Sequence, residues 1–358
     1  SWLSLLPRIS VGNILEIVII SFLVYELLVW IKNTRAWNLL KGLLVPLCVY
    51  AILAVSLNLT VGILGELSLG HAGFMCVGAF TSAVFTKCMM HTITVPTVRF
   101  LLALLVGVVC AGICGVLIGI PVLRLRGDYL AIVTLAFGEI IKNLVNVIYL
   151  GRDSAGFHFS MKDIMALNME PDGEVIIKGA QGITGAPTDS NFTLGIILLL
   201  ITLFIVLNLI HSRAGRAIMS IRDNRIAAES IGINITKYKI LAFSISAALA
   251  GAAGVLYAHN LSTLTALPKN FGYNMSIMIL VYVVLGGIGN IRGSVIATVI
   301  LYLLPEMLRG LSNYRMLMYA IVLILAMLFN SAPQFVVMRE RLAEKFSRKD
   351  KKPAKEAA

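Results

Sequence analysis

Long apolar runs, separated by short polar and cationic segments, set the pattern of this chain. About 20 apolar residues carry a helix across the hydrocarbon core of a bilayer. Ten stretches approach that length: 13–31, 43–61, 67–85, 98–120, 129–150, 192–210, 240–261, 273–288, 294–308 and 316–330. The last of these are short, which suits tilted or broken helices. The pattern predicts an all-α polytopic membrane protein with about 8–10 transmembrane helices.

The connecting segments orient the spans, because Lys and Arg concentrate in cytoplasmic loops. The stretch 211–239 carries Arg213, Arg216, Arg222, Arg225, Lys237 and Lys239 against Asp223 and Glu229. The tail 334–358 carries Arg339, Arg341, Lys345, Arg348, Lys349, Lys351, Lys352 and Lys355. Both read as cytoplasmic, and the tail reads as a solvated basic helix that frays at its end. Alternation places Arg124 and Arg126 inside as well. It places 151–190 outside, where Arg152, Lys162 and Lys178 are outnumbered by Asp153, Asp163, Glu170, Asp172, Glu174 and Asp189. One loop departs from this scheme. Lys32, Arg35 and Lys41 stand without acids and read as inside, whereas counting spans back from the tail places them outside.

Composition agrees with the pattern. Hydrophobic residues make up 58% and charged residues 13%, against roughly 25% charged in a soluble domain. The net charge of +12 is spread over loops and tail and lacks interleaved aromatics. It reads as an orienting signal and not as a nucleic-acid surface. Cys48, Cys76, Cys88, Cys110 and Cys114 lie in or beside apolar stretches and show no zinc spacing, so they read as small packing residues. The run 13–31 is longer than the apolar region of a cleavable signal, and no small-x-small site follows it.

Three features carry candidate chemistry. Gly62, Gly65, Gly70 and Gly73 interrupt an apolar stretch, and Gly286, Gly287, Gly289 and Gly293 interrupt another near the opposite end. Paired glycine breaks in the two halves of a membrane chain mark helices broken around a midplane path, but close helix packing through small residues reads equally well. Gly65, Ser68, Gly70, His71, Gly73, Gly286, Gly287 and Gly289 are therefore candidates to line a translocation path. For His71, a hydrogen-bonded structural role competes.

The second feature is the stretch 212–234. Ile218, Ile221, Arg222 and Arg225 recur at helical spacing, Ala227 and Ala228 are small, and Gly232 can end the helix. A compact helix of this kind can seat in a groove on a cytoplasmic partner. Arg222, Asp223, Ala227, Ala228 and Gly232 are the candidate docking residues, against the plainer reading of a basic loop. The third feature is Glu139 with Lys142, three residues apart on one face of an apolar span. Intramembrane charges are functional candidates, so Glu139 joins the candidates to line the translocation path, and an intrahelical pair near the helix end is the alternative. No phosphate-binding GxxxxGK[ST] loop, GxSxG or HExxH occurs, so neither an ATPase nor another enzyme is expected, and no cofactor or metal.

Residues 43–333 resemble LivM-type permeases of branched-chain amino acid ABC importers. The likeness runs through Leu57-Asn-Leu, Gly65-Glu-Leu-Ser-Leu-Gly-His-Ala-Gly-Phe74, Gly127-Asp-Tyr-Leu-Ala-Ile-Val-Thr-Leu-Ala-Phe-Gly-Glu139, Gly182-Ile-Thr-Gly185, Gly215-Arg-Ala, residues 248–257 and Leu285-Gly-Gly-Ile-Gly-Asn-Ile-Arg-Gly293. It implies a pore shared with a sister permease (LivH-like), two ATP-binding subunits that alone bind ATP, and an extracytoplasmic substrate-binding protein, in a bacterial inner or plasma membrane. Leucine, isoleucine and valine are the implied solutes. Urea, amides or another small polar solute are the alternative within the same importer class. A gradient-driven secondary transporter is a rival reading, with Glu139 as its ion-site candidate. ABC importers carry Glu-Ala-Ala followed three residues later by Gly in the loop that couples to the ATPase. Ala227, Ala228 and Gly232 match that pattern, and Ile226 stands in place of the Glu.

Residues 1–42 resemble a different family. Gly12-Asn-Ile-Leu-Glu-Ile-Val-Ile-Ile and Trp30-Ile-Lys-Asn-Thr-Arg-Ala-Trp37 are similar to the N-terminal membrane segment of membrane-bound diadenylate cyclases. The catalytic Asp-Gly-Ala and Arg-His-Arg signatures of those enzymes are absent, so no cyclase activity is expected. A regulatory module that engages cyclase partners is a third reading of the chain.

Overall fold

A computed structural model describes residues 37–307 apart from 91, 126, 154–155 and 170–172, with isolated positions between 317 and 324. Residues 1–36, with the apolar run 13–31, and the tail 334–358 lie outside the described residues, and 316–330 is described only at those isolated positions. Helix α1 (Trp37–Asn58) runs into a π-helical turn, Leu59–Leu64. Then come α2 (His71–Met89), α3 (Pro96–Val122) and α4 (Asp128–Val147), followed by strands β1 (Tyr149–Arg152), β2 (Phe157–Ser160), β3 (Glu174–Lys178) and β4 (Ile183–Thr184). The chain continues through α5 (Phe192–His211), α6 (Arg213–Asp223), α7 (Arg225–Ser230), α8 (Ile235–Ala258), β5 (Thr263–Leu264), α9 (Pro268–Phe271), α10 (Tyr273–Gly286) and α11 (Ile291–Met307). Six of these helical segments are long and apolar enough to cross a membrane. The segments Pro268–Gly286 and Ile291–Met307 form a pair bent by 120°, which brings the number of spans among the described residues to as many as seven.

The chain divides into two compact units, Ser1–Thr298 and Val299–Ala358. In the first, the core is α2, α3 and α8. Their close packing follows from small residues repeated every four positions, which put one narrow stripe along a helix. On α3 that stripe is Ala103, Gly107, Ala111, Gly115 and Gly119, all buried. It faces α8, where a Cβ added at Gly115 would meet Ala247 and one added at Gly251 would meet Ala111. The opposite face of α3 exposes Leu101, Leu105, Val109, Ile113, Leu117 and Ile120. In water such a face would be costly, and in lipid it is matched to its surroundings. In the second unit, residues 299–307 complete α11 and include Pro305.

Three expectations from the sequence need adjustment. The stretch 151–190 is more than a loop. It contains most of an antiparallel sheet in the order β2-β1-β3 and pairs β4 with β5. It is tied to the helices by Arg99, which donates from Nε and Nη2 to the two Asp189 oxygens at 2.7 Å each, and by Lys87, which pairs with Glu174 at 3.0 Å. The span read as 129–150 stops at Val147, because Tyr149 and Leu150 already belong to β1. The span read as 240–261 starts earlier, at Ile235, because Asn234 caps it by accepting from the Lys237 amide at 3.0 Å. Lys237 and Lys239 therefore lie in the first turns of α8 and not in the preceding loop.

Candidate functional site: a glycine-broken helix end beside the α6–α7 segment

The end of α1 shows why the chain breaks there. The π-turn stops at Gly65, whose φ of 78° is the left-handed geometry that glycine adopts without a Cβ penalty. The Gly65 amide returns to the Thr60 carbonyl, and the Glu66 amide reaches the same oxygen at 3.1 Å. Residues 65–70 are non-helical, and α2 opens at His71. The span expected from residue 67 thus begins only at 71.

The second glycine break lies against the first. Gly287 and Gly289 have φ of 94° and 83° where α10 turns into α11. Asn58 joins the two breaks. Its Oδ1 accepts from the Gly289 amide at 2.8 Å, and its Nδ2 donates to Ser294 Oγ at 2.8 Å. A side chain at Gly62 would collide with the Gly289 backbone. Gly65, Gly287 and Gly289 turn the chain, while Gly62, Gly70 and Gly73 admit close neighbours. A Cβ at Gly73 would stand 2.7 Å from Gly138 Cα.

Between the breaks runs a buried polar network. His71 Nε2 lies 2.8 Å from Ser246 Oγ, near the middle of α8, and Thr60 Oγ1 donates to that same hydroxyl at 2.8 Å. Ser246 in turn donates to the Ser56 carbonyl. The Leu69 amide donates to Thr134 Oγ1 at 3.0 Å, and the Ala72 amide to Ser276 Oγ at 3.2 Å. Ser68 Oγ and His71 Nδ1 are buried without a hydrogen-bond partner among the described residues. Glu139 stands apart from this network. It pairs with Lys142 and accepts from the Tyr273 amide at 2.8 Å, so it caps the first turn of α10. These two contacts match the alternative of an intrahelical pair near the helix end.

The segment expected as one amphipathic helix is two. Ser212 caps α6 by accepting from the Gly215 amide at 3.1 Å, and Asn224 caps α7 by accepting from the Ala227 amide at 3.1 Å. Ser and Asn favour caps because their short side chains reach the free amides of a first turn. Gly232, with φ of 85°, ends the segment. Ala228 is 2% exposed and packs inward on Ile221 and Ile235, so it supports the segment from within. The outward apolar residues are Ile226 at 81% and Ile231 at 75% exposure, and Ala227 is exposed beside them. Arg222 faces the glycine break. Its Nη1 donates to the Gly62 carbonyl at 2.8 Å, and Asp223 accepts from its Nε and Nη2 at 3.0 and 2.9 Å.

Comparison with known proteins decides the family. Residues 39–327 match the family described as branched-chain amino acid transport system, permease component. The chain belongs to this permease family. It is 33% identical to the high-affinity branched-chain amino acid transport system permease protein LivM of Salmonella typhimurium, over 82% of this chain and 69% of that one. Identity to LivM of Escherichia coli is 32% over the same shares. The LivH permease of Salmonella typhimurium is 24% identical over 70% of this chain and 79% of its own. No solved structure matches.

Against this permease frame, the structure brings Gly65, Arg222, Gly286, Gly287 and Gly289 to one end of the bundle and Gly70, His71 and Gly73 deeper inside it. Sequence reasoning missed Asn58, Thr60, Glu66, Lys239 and Ser246, which join these groups. Asn58 was the most visible of them, as a polar residue inside the apolar run 43–61. Nothing local marked its partners, which lie 231 and 236 positions away.

Proposed function

We infer that this chain is the permease subunit through which an ATP-binding-cassette importer moves branched-chain amino acids, in company with a LivH-like permease, two ATP-binding subunits and an external binding protein. The observation that carries this reading is the α6–α7 segment in a chain of this family: a capped unit that presents Ile226, Ala227 and Ile231 outward and bonds through Arg222 to the glycine break. Exposed apolar residues held on a short capped helix suit a groove on a cytoplasmic partner. The segment and the tail 334–358 then lie on the cytoplasmic side, and the sheet insert 149–184, at the other end of α5, faces outward to receive the binding protein.

The translocation path in this reading runs by the loop 65–70 and the Gly286–Gly289 break. Movement of α6 and α7 on ATP binding shifts these breaks and opens the path. Purification of the tagged chain from detergent, with identification of its companions, tests the assembly. Uptake of leucine, isoleucine and valine in proteoliposomes holding the whole importer tests the solute. Recovery of the chain folded but alone would overturn the assembly. Uptake of urea or small amides in place of the three amino acids would overturn the solute.

A further inference from the structure

We propose that Arg222 and the Glu66–Lys239 ion pair form a two-point latch that makes the α6–α7 segment, the first turns of α8 and the glycine-broken end of α1 move as one body. The proposal rests on the importer reading above and assigns positioning roles to Glu66 and Lys239 within it.

The first point of the latch is Arg222. A π-turn leaves backbone carbonyls without their regular helical donors, and the Arg222 guanidinium takes up that of Gly62 at 2.8 Å. Asp223 holds the guanidinium from its other edge. The aliphatic stem of Arg222 covers Gly65, so closely that a Cβ there would lie 2.5 Å from Arg222 Cγ. The second point is the ion pair. Glu66 follows the break directly, Lys239 lies one turn into α8, and their side chains are 14% and 6% exposed. A buried pair of this kind is costly to separate, because each partner left alone is an uncompensated charge.

The two points share a frame. Ala228 of α7 packs between Ile221 of α6 and Ile235 at the start of α8, so Arg222 and Lys239 project from one packed unit. Both grip the same five-residue stretch, Gly62 to Glu66, at the broken end of α1. Gly62 in turn abuts the Gly289 break, and Asn58 bonds across it. A push on α7 thus has an unbroken route through packed and hydrogen-bonded groups to both glycine breaks, which is the physical requirement for coupling between separated sites.

The test uses the whole importer in proteoliposomes and reads uptake per ATP hydrolysed, with co-purification of the ATP-binding subunits as a separate readout. The double variant Glu66→Gln/Lys239→Met leaves no buried charge alone and so preserves the fold. It is expected to keep its ATP-binding subunits and hydrolyse ATP while uptake per ATP falls roughly tenfold, inside the span typical of coupling between sites. Lys239→Arg keeps the cation, and its uptake per ATP is expected to exceed that of the double variant. Wild-type uptake per ATP in the double variant would overturn the latch. So would a proportional loss of uptake, hydrolysis and co-purification, which marks mere fold support. A wild-type chain that recovers no ATP-binding subunits would overturn the importer reading and the latch with it.

Discussion

Gly78 and Gly112 lie on neighbouring helices of the same core, and alanine at each is expected to have opposite effects. A Cβ added at Gly78 would stand 2.5 Å from Gly251 Cα and 2.7 Å from its carbonyl carbon, both backbone atoms of α8. Carbon atoms pack best at about 3.5–4.0 Å, so α2 and α8 must part by about 1 Å, or the side chains between them must deform. Overpacking of this kind costs about 1–3 kcal/mol. The gain in helix propensity from Gly to Ala, about 0.8–1.0 kcal/mol, offsets part of it. At Gly112 the nearest atom to an added Cβ is Ala248 Cβ at 3.5 Å, an ordinary contact, so the propensity gain stands alone. Gly78→Ala should therefore be less stable than Gly112→Ala by about 1–3 kcal/mol. The assay is the monodisperse fraction of the detergent-purified chain after heating across a temperature series. At about 2–4 °C per kcal/mol, the two midpoints should separate by several degrees, with wild type between them. A Gly78→Ala midpoint at or above that of Gly112→Ala would refute the close approach of α2 and α8 and the core built on it.

Asn58→Leu removes both bonds across the glycine breaks and leaves the Gly289 amide without its acceptor, an expected loss of about 1–3 kcal/mol in the same heating assay; an unchanged midpoint would mean the breaks do not depend on it. Ile226→Asp/Ile231→Asp changes two exposed positions, so stability should hold within about 0.5 kcal/mol while co-purification of ATP-binding subunits is lost; retained subunits would move the docking face elsewhere. Arg99→Met strands the buried Asp189 carboxylate and should cost about 3–5 kcal/mol, with Arg99→Met/Asp189→Asn recovering part of it. An Arg99→Met midpoint equal to wild type would show that this pair does not hold the sheet insert to the helices.

The membrane class and most spans were legible because lipid imposes a one-dimensional rule: an apolar run of sufficient length must be a helix or a closed strand array. The glycine breaks were legible for a related reason, since glycine interrupts such runs visibly. The sheet insert was not. Strands of two to five residues, such as Ile183–Thr184 and Glu174–Lys178, carry too little alternation to separate from a polar loop, and their pairing is non-local. The split of the α6–α7 segment at Asn224 was recoverable in principle, because Asn224 and Asn234 repeat the cap chemistry of Ser212 at the starts of successive helices. The basic charges of that stretch drew the reading toward orientation and away from capping.

What sequence could not supply is which polar residues meet. Lys239 counts toward membrane orientation in the same way as Lys237, yet only Lys239 is buried and finds Glu66. Its place one turn inside α8 follows from the Asn234 cap, which fixes where the helix starts and so which lysine faces the bundle. Arg222 is set apart from Arg225 in the same manner: the Asn224 cap ends α6 just past Arg222, keeping it on the face with Gly62, and starts α7 at Arg225. Two short caps thus decide which cations of the segment bond to the broken end of α1.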